Sequence, residues 1–124
     1  DLTNGCHVLE DETGAPVDIA SLRGKLVALY FSASWCPPCR SFSPQLAQFA
    51  QRHASDLVVV FVSCDHSQMS METFVKGKGF LRVRFDTTVR QALMAAYKEV
   101  QFICKDADYI HAYSDYARGA AFLL

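Results

Sequence analysis

Two cysteines with two prolines between them, in Trp35-Cys36-Pro37-Pro38-Cys39-Arg40, are the residues of this chain best equipped for chemistry. Thiols at i and i+3 lie about one helical turn apart, so they can close a small disulfide ring and reopen it. Proline lacks a backbone N–H and fixes φ, which suits the first turn of a helix and holds the sulfurs in a rigid corner. At such a helix start the unpaired N–H groups and the positive end of the helix dipole favour a thiolate. Cys36 is expected to carry it, as the sulfur nearer solvent, with Arg40 adding positive charge. A thiol activated in this way attacks disulfides near neutral pH.

The elements that must position this pair are written in the hydrophobic pattern. Residues 26–31, Leu-Val-Ala-Leu-Tyr-Phe, form a continuous apolar run, as expected of a central strand covered on both faces. Beyond the cysteines, Phe42, Leu46, Phe49, Ala50 and His53 fall on one stripe of an amphipathic helix, which Pro44 kinks or starts irregularly. Residues 57–62 read as a second buried strand. It ends in Ser63-Cys64-Asp65-His66, where a parallel sheet opens toward a ligand crevice. Upstream, Val8-Leu9 and residues 16–19 flank the turn-forming stretch 10–15, suggesting a hairpin, and residues 22–25 turn the chain into the first long strand. Downstream, Met71, Phe74 and Val75 predict a short helix closed by Gly77 and Gly79. Val89, Leu93, Ala96 and Tyr97 make a further helical stripe. Phe102 and Cys104, then Ile110 and Ala112, alternate about residues 105–108 as a terminal hairpin.

With 124 residues, 51% of them hydrophobic, the chain has the size of one domain spanning 1–124, with a core that needs no disulfide staples. Twelve basic and thirteen acidic residues leave a net charge of -1, which offers no electrostatic footprint for nucleic acid or an anionic membrane. The apolar runs fall far short of the roughly 20 residues that span a bilayer. No basic-then-apolar segment opens the chain, and Asp1 leaves a processed or trimmed start open. Five cysteines is an odd count, and Cys6, Cys64 and Cys104 are scattered, so a reducing, cytoplasmic setting is expected. Cys64 and Cys104 read as small hydrophobes buried in strands.

Strands and helices alternating around a parallel pair, then an antiparallel hairpin, describe an α/β, thioredoxin-like fold: a central mixed β-sheet flanked by helices, with an N-terminal hairpin extension. The CxxC at the first strand-to-helix corner agrees. Residues 24–40, Gly-Lys-Leu-Val-Ala-Leu-Tyr-Phe-Ser-Ala-Ser-Trp-Cys-Pro-Pro-Cys-Arg, with Phe42, Pro44-Gln45-Leu46, residues 58–63 and Asp65, closely resemble tryparedoxins and nucleoredoxins. Ordinary thioredoxins carry a buried Asp six residues before the first cysteine and Gly-Pro between the two. Tyr30 and Pro37-Pro38 stand there, as in tryparedoxins. The resemblance implies a dithiol carrier that takes electrons from a low-molecular-weight dithiol, trypanothione in tryparedoxins, and passes them to peroxidases or other disulfide-containing proteins.

Departures from the family are visible as well. The family's Ile-Pro-Thr, whose cis proline faces the disulfide, has no counterpart, because no proline follows Pro44. Either Cys104 takes its place, or residues are deleted and Phe102 already begins the next strand; the deletion fits better, because residues 105–108 serve well as the hairpin turn. Gly77-Lys78-Gly79 stands where the family has a Pro-Trp pair.

In the expected reaction Cys36 attacks a partner disulfide, and Cys39 resolves the mixed disulfide. No cofactor is implied beyond the Cys36–Cys39 disulfide. Trp35 covers the sulfurs and meets partners, or simply packs. Asp65 helps move the proton of Cys39, or is a solvated strand-end acid. Arg40 tunes Cys36 or faces water, and His66 is a loop histidine that titrates near neutrality. Two other readings stay open: a partner-binding domain with weakened catalysis, and a metal site built on the CxxC, for which no second ligand pair has suitable spacing.

Overall fold

The two long apolar runs become adjacent parallel strands in the computed structural model, whose described residues are 7–96. β3 (Leu26–Ser32) and β4 (Leu57–Ser63) pair in register from Leu26↔Leu57 to Ser32↔Ser63. β5 (Leu81–Val83) continues the parallel set on the other side of β4. β1 (Leu9–Glu10) runs antiparallel to β5 and to β2 (Pro16–Val17). The described strands thus form one mixed sheet in the order β2-β1-β5-β4-β3. The expected N-terminal hairpin is its outer addition. Among the described residues β3 stands at the end of that order, with β4 as its strand neighbour, and not in the central place read from sequence. The apolar run reports burial of both faces, met by Tyr30 and Phe31, rather than strand neighbours.

Alternation along β3 and β4 feeds two cores, since successive strand residues point to opposite faces. Tyr30, Val59 and Phe61 join Met71, Phe74, Val75 and Phe80 beneath α1 (Pro37–Arg52) and α2 (Gln68–Val75). Leu29, Phe31, Val60 and Val62 join Leu9, Leu22 and Val83 on the other face, where Leu93 and Met94 of α3 (Thr88–Ala96) pack. From the expected third stripe Leu93 packs, but Val89 and Ala96 are exposed, and Tyr97 lies outside the described residues. The terminal hairpin, with Cys104, and Cys6 also lie outside them.

Local chemistry fixes the connections. Asp11 shapes the first turn: its carboxyl accepts from Thr13 N at 2.8 Å, Thr13 Oγ1 at 2.6 Å and Ala15 N at 3.0 Å, which lowers its pKa. Glu10 Oε1 then receives buried Arg82 Nε at 3.0 Å, tying the hairpin to β5; stranding either charge typically costs about 3–5 kcal/mol. Ser67 caps α2 by accepting from Ser70 N at 3.2 Å. As expected, Gly77 closes that helix, with φ of 78°. Pro44 lies inside α1, which continues past it.

Candidate active site

Cys36 is the N-cap of α1, with extended backbone (φ -98°, ψ 106°), and Pro37 occupies the first helical position. Cys39 follows within the first turn, and the two sulfurs come near disulfide distance. Neither is the solvent-facing thiol expected of Cys36. Both residues are 2% exposed, enclosed by the core that contains Tyr30, Val59, Phe61 and Met71. Burial therefore decides the protonation of Cys36: it pushes the thiol up to about 12, reinforced by the Cys39 thiol. The N–H of Cys39 and the charge of Arg40 pull the other way and are outweighed. The lowered pKa expected from the helix start is thus corrected.

Asp65 is not the solvated strand-end acid of the second expectation. It is buried rather than solvated, and its oxygens are committed to the loops: Oδ1 accepts from Ser34 N at 2.8 Å and Ser34 Oγ at 2.6 Å, and Oδ2 from Ser63 Oγ at 3.0 Å. It is a clasp between the loop carrying the cysteines and the end of β4. Removing it with Asp65→Ala leaves three donors without their acceptor. The expected loss is about 2–4 kcal/mol in urea unfolding, with Asp65→Asn costing less because it keeps one acceptor oxygen.

Trp35 and His66 form the exposed rim. Trp35 Nε1 donates to Cys64 O at 3.2 Å, and the His66 ring stacks on the indole, centroids 6.2 Å apart. Arg40 Nη1 donates to Ser34 O at 2.9 Å, so its guanidinium braces the cysteine loop as well as adding charge. Cys64 sits just beyond β4, half-buried rather than fully buried within a strand, and burial raises its thiol to about 11. Pro38 supplies backbone to the first turn of α1.

Four further residues contribute to which the sequence assigned no role. Ser34 and Ser63 are the clasp's donors. Arg90, from α3, reaches Ser63 O at 2.6 Å and Phe85 O at 2.8 Å, with its guanidinium 4.0 Å from the Phe85 ring centroid. Buried Ser43 donates to Cys39 O at 2.8 Å. Among the described residues, no group of three or more His, Cys, Asp or Glu side chains is gathered to hold a metal.

Comparison with known proteins places this geometry. A family profile described as "Thioredoxin-like" matches residues 24–103. The chain belongs to the thioredoxin-like family. Within it, the domain is related to tryparedoxins and nucleoredoxins. It is 33% identical over 96 residues to "Probable nucleoredoxin 3" of Oryza sativa subsp. japonica, covering 75% of this chain and 20% of that protein. Against the tryparedoxin of Trypanosoma brucei brucei it is 44% identical over 72 residues, 56% of this chain and 50% of the relative. A solved structure, "Tryparedoxin II complexed with glutathionylspermidine", superposes with a TM-score of 0.68 at 33% identity, covering 73% of this chain and 65% of that one.

This thioredoxin-like domain therefore spans half or less of those two curated relatives. The position where the family's cis proline is missing, around Cys104, lies outside its described residues. Gly77-Lys78-Gly79 is the tight link from α2 to β5, with positive φ at both glycines, 78° and 73°. No helix among the described residues is long and apolar enough to cross a membrane.

Proposed function

We propose that this domain, read as a single unit over 1–124, is a tryparedoxin-like thiol–disulfide oxidoreductase in which Cys36 is the nucleophile and Cys39 the resolving thiol. One observation carries the reading: the two sulfurs stand near disulfide distance at the first turn of α1. The backbone supports these roles. Cys36 caps the helix from extended chain beside the Trp35 rim, while Cys39 is held within the helix. Electrons come from a low-molecular-weight dithiol of the trypanothione type, a choice supported by the glutathionylspermidine complex of tryparedoxin II. They pass to disulfide-containing proteins such as peroxidases. The scattered cysteines suit a reducing setting, the cytoplasm.

Insulin reduction driven by a dithiol tests the activity, alongside mass spectrometry of the chain after mild oxidant and reductant. Turnover together with a two-dalton change localised to the Cys36–Cys39 peptide is the expected result; no such interconversion ends the proposal. A second reading, a partner-binding domain with weakened catalysis, is favoured by the burial and raised pKa of Cys36. It predicts partner capture without turnover.

A further inference from the structure

Ser43 lies one helical turn beyond Cys39 and is fully buried. Its hydroxyl carries one proton, donated to Cys39 O at 2.8 Å. Tyr30 must therefore be the donor in the 2.7 Å contact between Tyr30 Oη and Ser43 Oγ. The result is a directed chain, Tyr30 O–H to Ser43 O–H to the Cys39 carbonyl. Tyr30 is fixed edge-on by Phe42, Phe61 and Phe80, with centroids 5.8, 5.9 and 5.9 Å away. One backbone bond is missing from this part of α1: Pro44 lacks the N–H that an ordinary helix would aim at the Arg40 carbonyl. Ser43 supplies a side-chain donor at the carbonyl immediately before that gap.

We propose that Ser43, braced by Tyr30, is a positioning residue for the resolving half of thiol–disulfide exchange; the inference rests on the oxidoreductase reading above. In the attacking half, the Cys36 thiolate bonds one sulfur of a partner disulfide, and the other partner sulfur leaves as a thiolate and takes a proton. In the resolving half, the Cys39 thiol releases its proton to solvent and its sulfur bonds Cys36 Sγ. The bond from Cys36 to the partner breaks, and its electron pair departs on the partner sulfur, which is protonated. Two electrons have moved from the dithiol to the partner, with no further oxidant. Only the second half needs the Cys39 backbone held still while Cys36 is tethered elsewhere. Losing the Ser43 hydroxyl slows that half selectively.

The chromophoric disulfide 5,5′-dithiobis(2-nitrobenzoate) separates the halves, because attack releases one thionitrobenzoate and resolution the second. With the reduced full chain in stopped flow, Ser43→Ala is expected to slow the second release about tenfold, the rate equivalent of one buried hydrogen bond, and to change the first less than about twofold. Ser43→Thr, which keeps the hydroxyl, restores the second release. Tyr30→Phe removes the donor to Ser43 at nearly constant volume, slows the second release about threefold and keeps the test valid if Ser43→Ala fails to fold. Second releases at the normal rate in both Ser43→Ala and Tyr30→Phe, or equal slowing of both releases, overturn the proposal alone. No release from the unmodified chain overturns the oxidoreductase reading and the proposal with it.

Discussion

Replacing Cys36 by serine is expected to lower dithiol-driven disulfide reduction by at least about 10³-fold, to the uncatalysed background, because no other sulfur occupies the N-cap of α1. Cys39→Ser behaves differently. It retains the attacking sulfur, so each molecule reacts once and stops as a mixed disulfide with its partner. Non-reducing gels and intact mass distinguish the outcomes: a partner adduct on Cys39→Ser and none on Cys36→Ser. The reverse pattern would exchange the two roles, and full turnover in both variants would remove the pair from catalysis. The asymmetry does not come from exposure, since the two residues are equally buried at 2%. The expected asymmetry rests on the chain around them, extended at Cys36 and helical at Cys39.

Reactivity of the reduced protein is expected to climb steeply with alkali. With the Cys36 thiol pushed up to about 12 by burial, its thiolate fraction grows about tenfold per pH unit through the neutral range. Iodoacetamide labelling of the Cys36 peptide, followed by mass spectrometry, should therefore rise about 10³-fold from about pH 7 to pH 10 without a plateau. A plateau below pH 8 would show that the helix start and Arg40 outweigh burial after all. Stability carries the same sign. A pKa raised in the folded state means that the native dithiol holds its proton more tightly than the unfolded chain does. The associated stability is complete below the ordinary thiol pKa of about 8.5 and is lost as pH climbs toward about 12. The disulfide form has no such proton and escapes that loss, so reduced and oxidised melting temperatures diverge in alkali. On the oxidoreductase reading, the uncomplexed dithiol is therefore expected to react slowly at neutral pH and faster once a docked partner relieves the burial of Cys36.

The large elements were legible because their signals are local. The runs at 26–31 and 57–62 are β3 and β4, and the turn chemistry at 10–15 is the β1–β2 turn. Gly77 ends α2 through its positive φ, and the cysteines stand at a helix start as proline spacing requires. What escaped depends on residues far apart in sequence. Burial of Cys36 needs β4 and α2 folded over it, and one apolar run does not reveal which neighbours close over its end. Asp65 reads as a loop acid until Ser34, 31 residues earlier, is brought within 2.8 Å. Ser43 had a weak local sign, a helical serine one turn from a carbonyl of interest. Its bond to Tyr30 exists only because α1 lies across β3. Arg90 had no sign at all: the Ser63 carbonyl it reaches belongs to β4, 27 residues earlier in the chain.

The sheet acts as a partition. Val60 and Phe61 are chain neighbours, yet Phe61 shares its hydrophobic cluster with both sulfurs and Val60 does not. Parity of position, more than nearness along the strand, determines whether an altered side chain borders the cysteine pair. Lineages descended from this chain have room to exchange one aliphatic for another on the α3 side while the sulfurs keep their surroundings. Drift on the opposite side is far more constrained.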